Sequence, residues 1–152
     1  MSTSDAYPQE ELTALIVPLG RALLAAETAL LQDQGTDMWD YIVLRALGRG
    51  GAPSQLELAK TTGRDKTRLI RNLDALERAG FITRRPDQAD RRAMRVEISP
   101  SGARATARCH AAIQALDAEV LAKVTPEDQL TFRRVLAALH PRSAPASHSQ
   151  DS

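Results

Sequence analysis

Apolar residues recur every three or four positions along most of the chain, and every second position along one short stretch. Leu12, Leu15, Ile16, Leu19, Leu23, Leu30 and Leu31 keep helical spacing, which predicts a helix over residues 8–33. Pro18 falls inside that pattern and is expected to kink the helix or shift its start. Gly35 closes it. A second helix is predicted over 37–48: Asp37 can cap it, and Trp39, Ile42, Val43 and Leu47 supply an apolar face. Gly48, Gly50 and Gly51 stop it. Ser54-Gln-Leu-Glu57 has the form of a capping box, so a short helix follows through Lys60. Gly63 permits a turn. A further helix runs from about Asp65 to Ala79, with Gly80 just past its end.

The period then changes. Phe81 to Arg85 reads as a strand, Pro86 to Asp90 as a turn-rich tip, and Met94, Val96 and Ile98 alternate with Arg95, Glu97 and Ser99. A two-stranded hairpin therefore follows directly on a helix-turn-helix. Pro100-Ser101-Gly102 is expected to break it. Helical spacing returns over 103–124, with Ile113, Leu116, Val120 and Val124 on one side. Thr125-Pro126 starts a last helix that runs to about Leu139, with Thr at the cap and Pro in the first turn. The predicted fold is mainly α: a winged helix-turn-helix with a two-stranded β wing, flanked by N- and C-terminal helices. Residues 37–100 form the reading module, 8–36 and 101–140 the flanking helical region. Residues 1–7 and 141–152 are polar and expected to be disordered.

The chain is 152 residues long, the size of one domain, and carries a net charge of +1. One cysteine excludes an intrachain disulfide and any cysteine-only metal site. Three histidines, two of them at 140 and 148, make no metal centre, so no metal or cofactor is expected. No run approaches the roughly 18 apolar residues of a membrane span, and the N-terminus lacks a basic start and an apolar block. A cytoplasmic protein without membrane contact is expected.

Charge is informative only locally. Residues 64–95 hold ten of the 20 basic residues and five acids, a net +5. Nine of those ten are arginine, whose planar fork suits phosphates and guanine edges. A basic cluster in a near-neutral chain is the footprint of a polyanion partner, although a solvated face has the same composition.

Leu58-Ala59-x3-Gly63-x5-Leu69 has helix-turn-helix spacing: the small residue allows close approach, the glycine takes the turn, and the leucine anchors the second helix. At roughly 100° per residue, Leu69, Leu73 and Leu76 fall at about 0°, 40° and 340°, one buried stripe. Arg71, Arg64, Arg68 and Arg78 fall at about 200°, 220°, 260° and 180°, opposite it. Asp74 and Glu77 lie to one side. An arginine-lined outer face suits a DNA major groove, where Arg donates twice to guanine while its neighbours hold phosphates. The wing adds Arg84 and Arg85 before its tip and Asp90, Arg91 and Arg92 after it. One of Arg91 and Arg92 is expected to enter a minor groove, with Asp90 paired to a nearby Arg to fix the tip.

These strings resemble the MarR family of bacterial transcription regulators. Asp65-Lys66-Thr67, Arg71, Leu76-Glu77, Gly80-Phe81-Ile82, Asp90-Arg91-Arg92 and Ile98-Ser99-Pro-Ser-Gly102 match its pattern in register, and the order of elements matches over 8–139. The resemblance implies a dimeric repressor of double-stranded DNA, released by a small phenolic or lipophilic effector or by oxidation. It implies a DNA-contacting set of Arg64, Lys66, Thr67, Arg68, Arg71, Arg84, Arg85, Asp90, Arg91 and Arg92. Two residues depart from the pattern: Arg68 stands where a small residue is common, and Asn72 where an apolar one is usual.

The flanking helices also argue for a homodimer, since one short chain buries their apolar stripes only in part. Twofold symmetry would set two reading helices on a pseudo-palindromic operator. The alternative is a monomer whose outer helices pack on their own module. Cys109 reads as an inert buried thiol and His110 as a surface or interface residue. Trp39 reads as core, while the resemblance gives its helix a place in an effector cavity. No catalytic set is present, so the protein is read as no enzyme. A winged helix that binds RNA or protein is the competing reading. It is disfavoured by the arginines on the reading face and by the absence of stacking aromatics at 64–80.

Overall fold

The computed structural model describes residues 10–140. The two terminal segments expected to be disordered lie outside the described residues. Six helices and one hairpin follow in order: α1 (Leu12–Asp33), α2 (Met38–Leu47), α3 (Gln55–Thr62), α4 (Lys66–Arg78), β1 (Ile82–Pro86), β2 (Met94–Ile98), α5 (Pro100–Leu121) and α6 (Pro126–Leu139). The chain divides within α5 into two compact units, the second beginning at Leu116.

Local chemistry accounts for the boundaries. Asp37, Ser54, Asp65 and Thr125 cap α2, α3, α4 and α6, each side chain accepting a first-turn amide. At the end of α1, Gly35 N–H donates to the Gln32 carbonyl and Thr36 N–H to that of Leu31, both at 2.9 Å. Gly80 repeats this arrangement after α4, with Phe81 N–H reaching the Leu76 carbonyl at 2.9 Å. Both glycines have positive φ, the conformation this helix ending requires.

Three expectations need correction. Helix α1 begins at Leu12 rather than at residue 8, and Pro18 lies inside it. Pro100 does not break the chain but opens α5, because a proline at the first helical position gives up an amide that has no helical partner. Ser99 is the cap, its Oγ accepting from Gly102 N–H at 3.1 Å. The buried stripe of α5 is accordingly Gly102, Ala105 and Cys109, in its first half, while Val124 lies beyond its end and is exposed. Finally, α1 is long and apolar enough by length and composition to cross a membrane, with mean hydropathy 1.7. Arg21 and Glu27 interrupt the apolar run in sequence but leave its mean hydropathy high.

The main core joins Val43, Leu44 and Leu47 of α2, Leu58 of α3, the three α4 leucines, Ile82 of β1 and Val96 of β2. A smaller core joins Leu31, Tyr41 and Cys109. The strands pair antiparallel, Ile82 opposite Ile98 and Arg84 opposite Val96. Val96 N–H also donates to the Pro53 carbonyl at 3.0 Å, which ties β2 to the segment entering α3. Where α5 begins, a Cβ on Gly102 would collide with the Phe81 carbonyl, so only glycine lets α5 approach the exit of α4. Ser99 and Ser101 Oγ both donate to the Gly80 carbonyl there, at 2.6 and 2.8 Å.

Candidate nucleic-acid interface

The reading helix is held from inside and left open outside. Leu69 and Leu73 are fully buried and Leu76 nearly so. On the opposite side Thr67, Arg68 and Arg71 are exposed, as is Lys66 in the first turn. Arg68 Nε lies 3.3 Å from the Asp65 carboxylate, an exposed pair between a cap and its own first turn. Arg71 makes no side-chain hydrogen bond or ion pair among the described residues. Arg78, also exposed, donates to the Asp74 carbonyl at 3.2 Å.

Arg64 departs from the outward-facing set. It precedes the cap Asp65, so the 100° progression of the helix does not reach it. Its guanidinium stacks on Trp39, with Cζ 4.0 Å from the ring centroid, and Nε donates to Asn72 Oδ1 at 3.3 Å.

Arg84 departs further. Strand alternation puts it on the inward face with Ile82, and only 17% of its side chain is exposed. Nη2 lies 2.7 Å from Asp74 and 2.6 Å from Glu77, and Nε reaches Glu77 at 3.0 Å. The Arg84 backbone N–H adds a fourth bond, to Glu77 at 3.2 Å. Hydrogen bonding to Arg84 holds the Glu77 carboxyl below its ordinary value, and the same bonds push Arg84 up. Arg84 is thus spent on clamping the wing to the reading helix. The signal for this was in the sequence: Arg84 alternates with Ile82, and Asp74 and Glu77 share one flank of α4.

The wing tip is organised by a residue that sequence reasoning passed over. Arg95 donates to Asp87 at 2.8 Å, to the Ala52 carbonyl at 3.0 Å and to Glu57 at 3.4 Å, joining the tip to the start of α3. Asp87, not Asp90, is therefore the tip's ion-pairing acid. Asp90 acts on the backbone instead, its carboxylate accepting Arg92 N–H at 2.9 Å while its carbonyl accepts Ala93 N–H at 2.9 Å. Arg85, Arg91 and Arg92 are exposed. A cleft of about 230 Å³ brings Lys66 of α4 and Arg92 of the wing to the head of α3, beside Gln55 and Leu56.

The five acids of residues 64–95 thus serve as internal scaffolding: a cap, a clamp, a tip pair and a turn. The outward surface keeps Lys66, Arg68, Arg71, Arg78, Arg85, Arg91 and Arg92. Two exposed basic elements, one helical and one a hairpin, stand on a single packed core. Among the described residues no group of three or more His, Cys, Asp or Glu could hold a metal.

Residues 34–93 match the family model described as MarR family. The chain is 28% identical over 125 residues to the HTH-type transcriptional repressor Rv2887 of Mycobacterium tuberculosis, covering 82% of this chain and 90% of that protein. Rv2887 solved in complex with DNA is 27% identical, with a TM-score of 0.77 over 86% of this chain and 98% of that one. Rv2887 has also been solved with salicylic acid, at a TM-score of 0.70 over 87% and 98%. Wild-type MarR from E. coli, in its apo form, shares the fold with a TM-score of 0.79 over 87% and 98%, at 24% identity.

The matched residues carry the helix-turn-helix and most of the wing, and over them the chain is similar to the MarR family. That family is one of transcription regulators, not of enzymes. The departure from the family pattern at Asn72 has a structural account. Asn72 Nδ2 donates to Asp40 Oδ1 at 2.7 Å, so the polar residue bridges α2 to Arg64 rather than packing in the core. Burial raises the Asp40 carboxyl, with the Asn72 bond opposing it. Arg68, the other departure, is an exposed residue of the reading face. Cys109 is buried, its Sγ 3.6 Å from Thr36 Oγ1, and the neighbouring His110 is exposed with Nδ1 3.3 Å from the Tyr41 hydroxyl.

Proposed function

We propose that this protein is a homodimeric, sequence-specific DNA-binding regulator, a repressor acting from a pseudo-palindromic operator. The observation that carries this reading is the exposed basic face of α4, fixed by three buried leucines and flanked by an exposed arginine-tipped wing. Thr67, Arg68 and Arg71 read base edges in the major groove, while Arg64, Lys66 and Arg85 hold phosphates. Arg91 or Arg92 enters the adjacent minor groove and Asp90 shapes the turn that presents it. Arg84 serves the interface as a positioning residue. Residues 37–100 are the reading module, and 8–36 with 101–140 form the dimerisation region. The exposed apolar residues of α1 and α6 support the dimer. The protein works in the cytoplasm, on the chromosome.

The effector is a small phenolic or lipophilic molecule. Its support is the family together with Rv2887, solved with salicylic acid. Trp39 is the residue of α2 assigned to meet it, and as the single Trp of the chain it would report binding by its emission.

The test is a titration of fluorescent duplexes, selected from a genomic library, at several salt concentrations. Each neutralised phosphate contributes about −0.9 to the slope of log K against log salt. A steep slope with a selected palindrome, its half-sites roughly 10 bp apart, is expected. A flat response, or equal affinity for every duplex, overturns the reading. A chain that leaves the membrane fraction only in detergent would assign α1 to a bilayer instead.

A further inference from the structure

We propose that Trp39, Asp40 and Asn72 position Arg64 as a preset phosphate clamp at the head of the reading helix. This inference rests on the DNA-binding reading above and names residues that bind nothing themselves but fix one that does. Arg64 sits between Gly63, whose positive φ turns the chain, and Asp65, which caps α4. Its side chain is held on two sides. The flat of the guanidinium lies on the Trp39 ring, and the Nε edge is taken by Asn72. The amide of Asn72 cannot serve in either orientation. Its NH2 faces the Asp40 carboxylate, which can only accept, so its carbonyl must face Arg64. Asp40 therefore sets Asn72, and Asn72 sets Arg64.

A guanidinium carries five N–H donors in one plane. Stacking consumes none of them, and Asn72 takes one. The other four meet no acceptor among the described residues, and they are aimed edgewise from a fixed plane. The base of this arrangement is partly buried while Arg64 adjoins the exposed first turn of α4. A planar, immobilised donor fork beside a groove-reading helix matches a phosphate's paired oxygens. Prior immobilisation matters because ordering a free long side chain on binding weakens association by roughly 3- to 10-fold. Arg64 is the phosphate-contacting residue; the other three act through it.

The competing explanation is a plain staple between α2 and α4 that affects stability alone. A double-substitution cycle on the full-length protein separates the two. Binding to the selected operator and to a random duplex is measured at several salt concentrations for wild type, R64A, R64K, N72L and R64A/N72L, with thermal melts of each. R64A should reduce the salt slope by about 0.9, one phosphate. N72L and R64K keep the charge, so each should keep the slope and weaken both duplexes about 3- to 10-fold. R64A/N72L should bind no more weakly than R64A, because Asn72 acts only through Arg64. The charge-keeping variant R64K tests the geometry even where N72L lowers the melting temperature. The proposal is overturned if R64K binds like wild type, if R64A leaves the slope intact, or if the losses of R64A and N72L multiply. A wild-type protein with no salt-dependent DNA affinity would refute the underlying DNA-binding reading instead.

Discussion

The reading helix α4 and the last helix α6 are of similar length, 13 and 14 residues, and both carry leucines at helical spacing. Their fates differ. In α4 the leucines are sealed by α2, α3 and the wing strands of the same chain. In α6 no residue is buried, and Leu130 and Leu139 are 73% and 68% exposed. The first helix resembles α6: among its 22 residues only Leu31 is buried, while Leu12, Ile16 and Leu24 stay open. Periodicity specifies an apolar face but not what covers it. The elements from α2 to β2 share one closed core beneath the exposed basic residues of α4. The flanking helices leave apolar side chains open, the surface that the proposed homodimer would cover.

The largest effect should come from emptying the sealed side of the comparison. Leu73→Ala removes a fully buried side chain contacted from several elements and should cost about 2–5 kcal/mol of stability. Chemical denaturation followed by circular dichroism measures it. A cost under about 1 kcal/mol would mean that the core under α4 collapses freely and does not fix its outer face.

On the open side, Leu136→Glu combined with Leu139→Glu should leave the module folded and dissociate the dimer. Light scattering should move to the monomer mass of 16.5 kDa. Operator affinity should fall steeply, because one head alone loses the gain from a linked second contact. A variant that remains dimeric and binds normally would place the dimer contact elsewhere.

Next in size is the outer face itself. Arg71→Ala should cost about 1–3 kcal/mol on the operator and much less on random DNA if Arg71 reads a base edge. Equal losses on both would make it a phosphate contact and pass base reading to Thr67 or Arg68.

Most of this architecture was legible because the controlling signals are local. The capping box at Ser54–Glu57, the Asp caps of α2 and α4, the period-two strand at 94–98 and the αL glycines each act within a few residues. The same rule is hidden once: Thr125-Pro126 reads as a helix start, whereas Pro100-Ser101-Gly102, preceded by Ser99, reads as a break. Both place a hydroxyl cap before a proline, and a preceding strand hid the second. The site was less legible than the fold. Counting arginines found the basic surface but could not say which were free. Arg84 and Arg95 are engaged by acids that adjoin them only once the hairpin folds back on α3 and α4. Arg64 was misplaced by extending helical geometry past a cap. The apolar length of α1 is masked in the sequence because Arg21 and Glu27 punctuate it.

The smallest effect tests whether the clamp at Arg84 belongs to the stability of the sealed module. Glu77 is held below the ordinary glutamate value of 4.5, chiefly by its hydrogen bond to Arg84. A carboxyl lowered on folding contributes stability above its unfolded value and loses it as the pH falls through its folded value. Glu77→Gln keeps the size but removes the charge. The wild-type advantage over E77Q should therefore be full above about pH 5 and shrink progressively below pH 4.5. Its size should be about 1 kcal/mol or less, since Glu77 remains 39% exposed and solvent screens the pair. Asp40 moves the opposite way, raised by burial, so its unfavourable contribution is present at neutral pH and relieved in acid. Both proteins share Asp40, and it cancels in their difference. Thermal melts of the two proteins from pH 3.5 to 7 give that difference directly. A gap that stays constant with pH would show that Glu77 acts by packing, and that Asp74 alone supplies the charge that holds Arg84 and the wing.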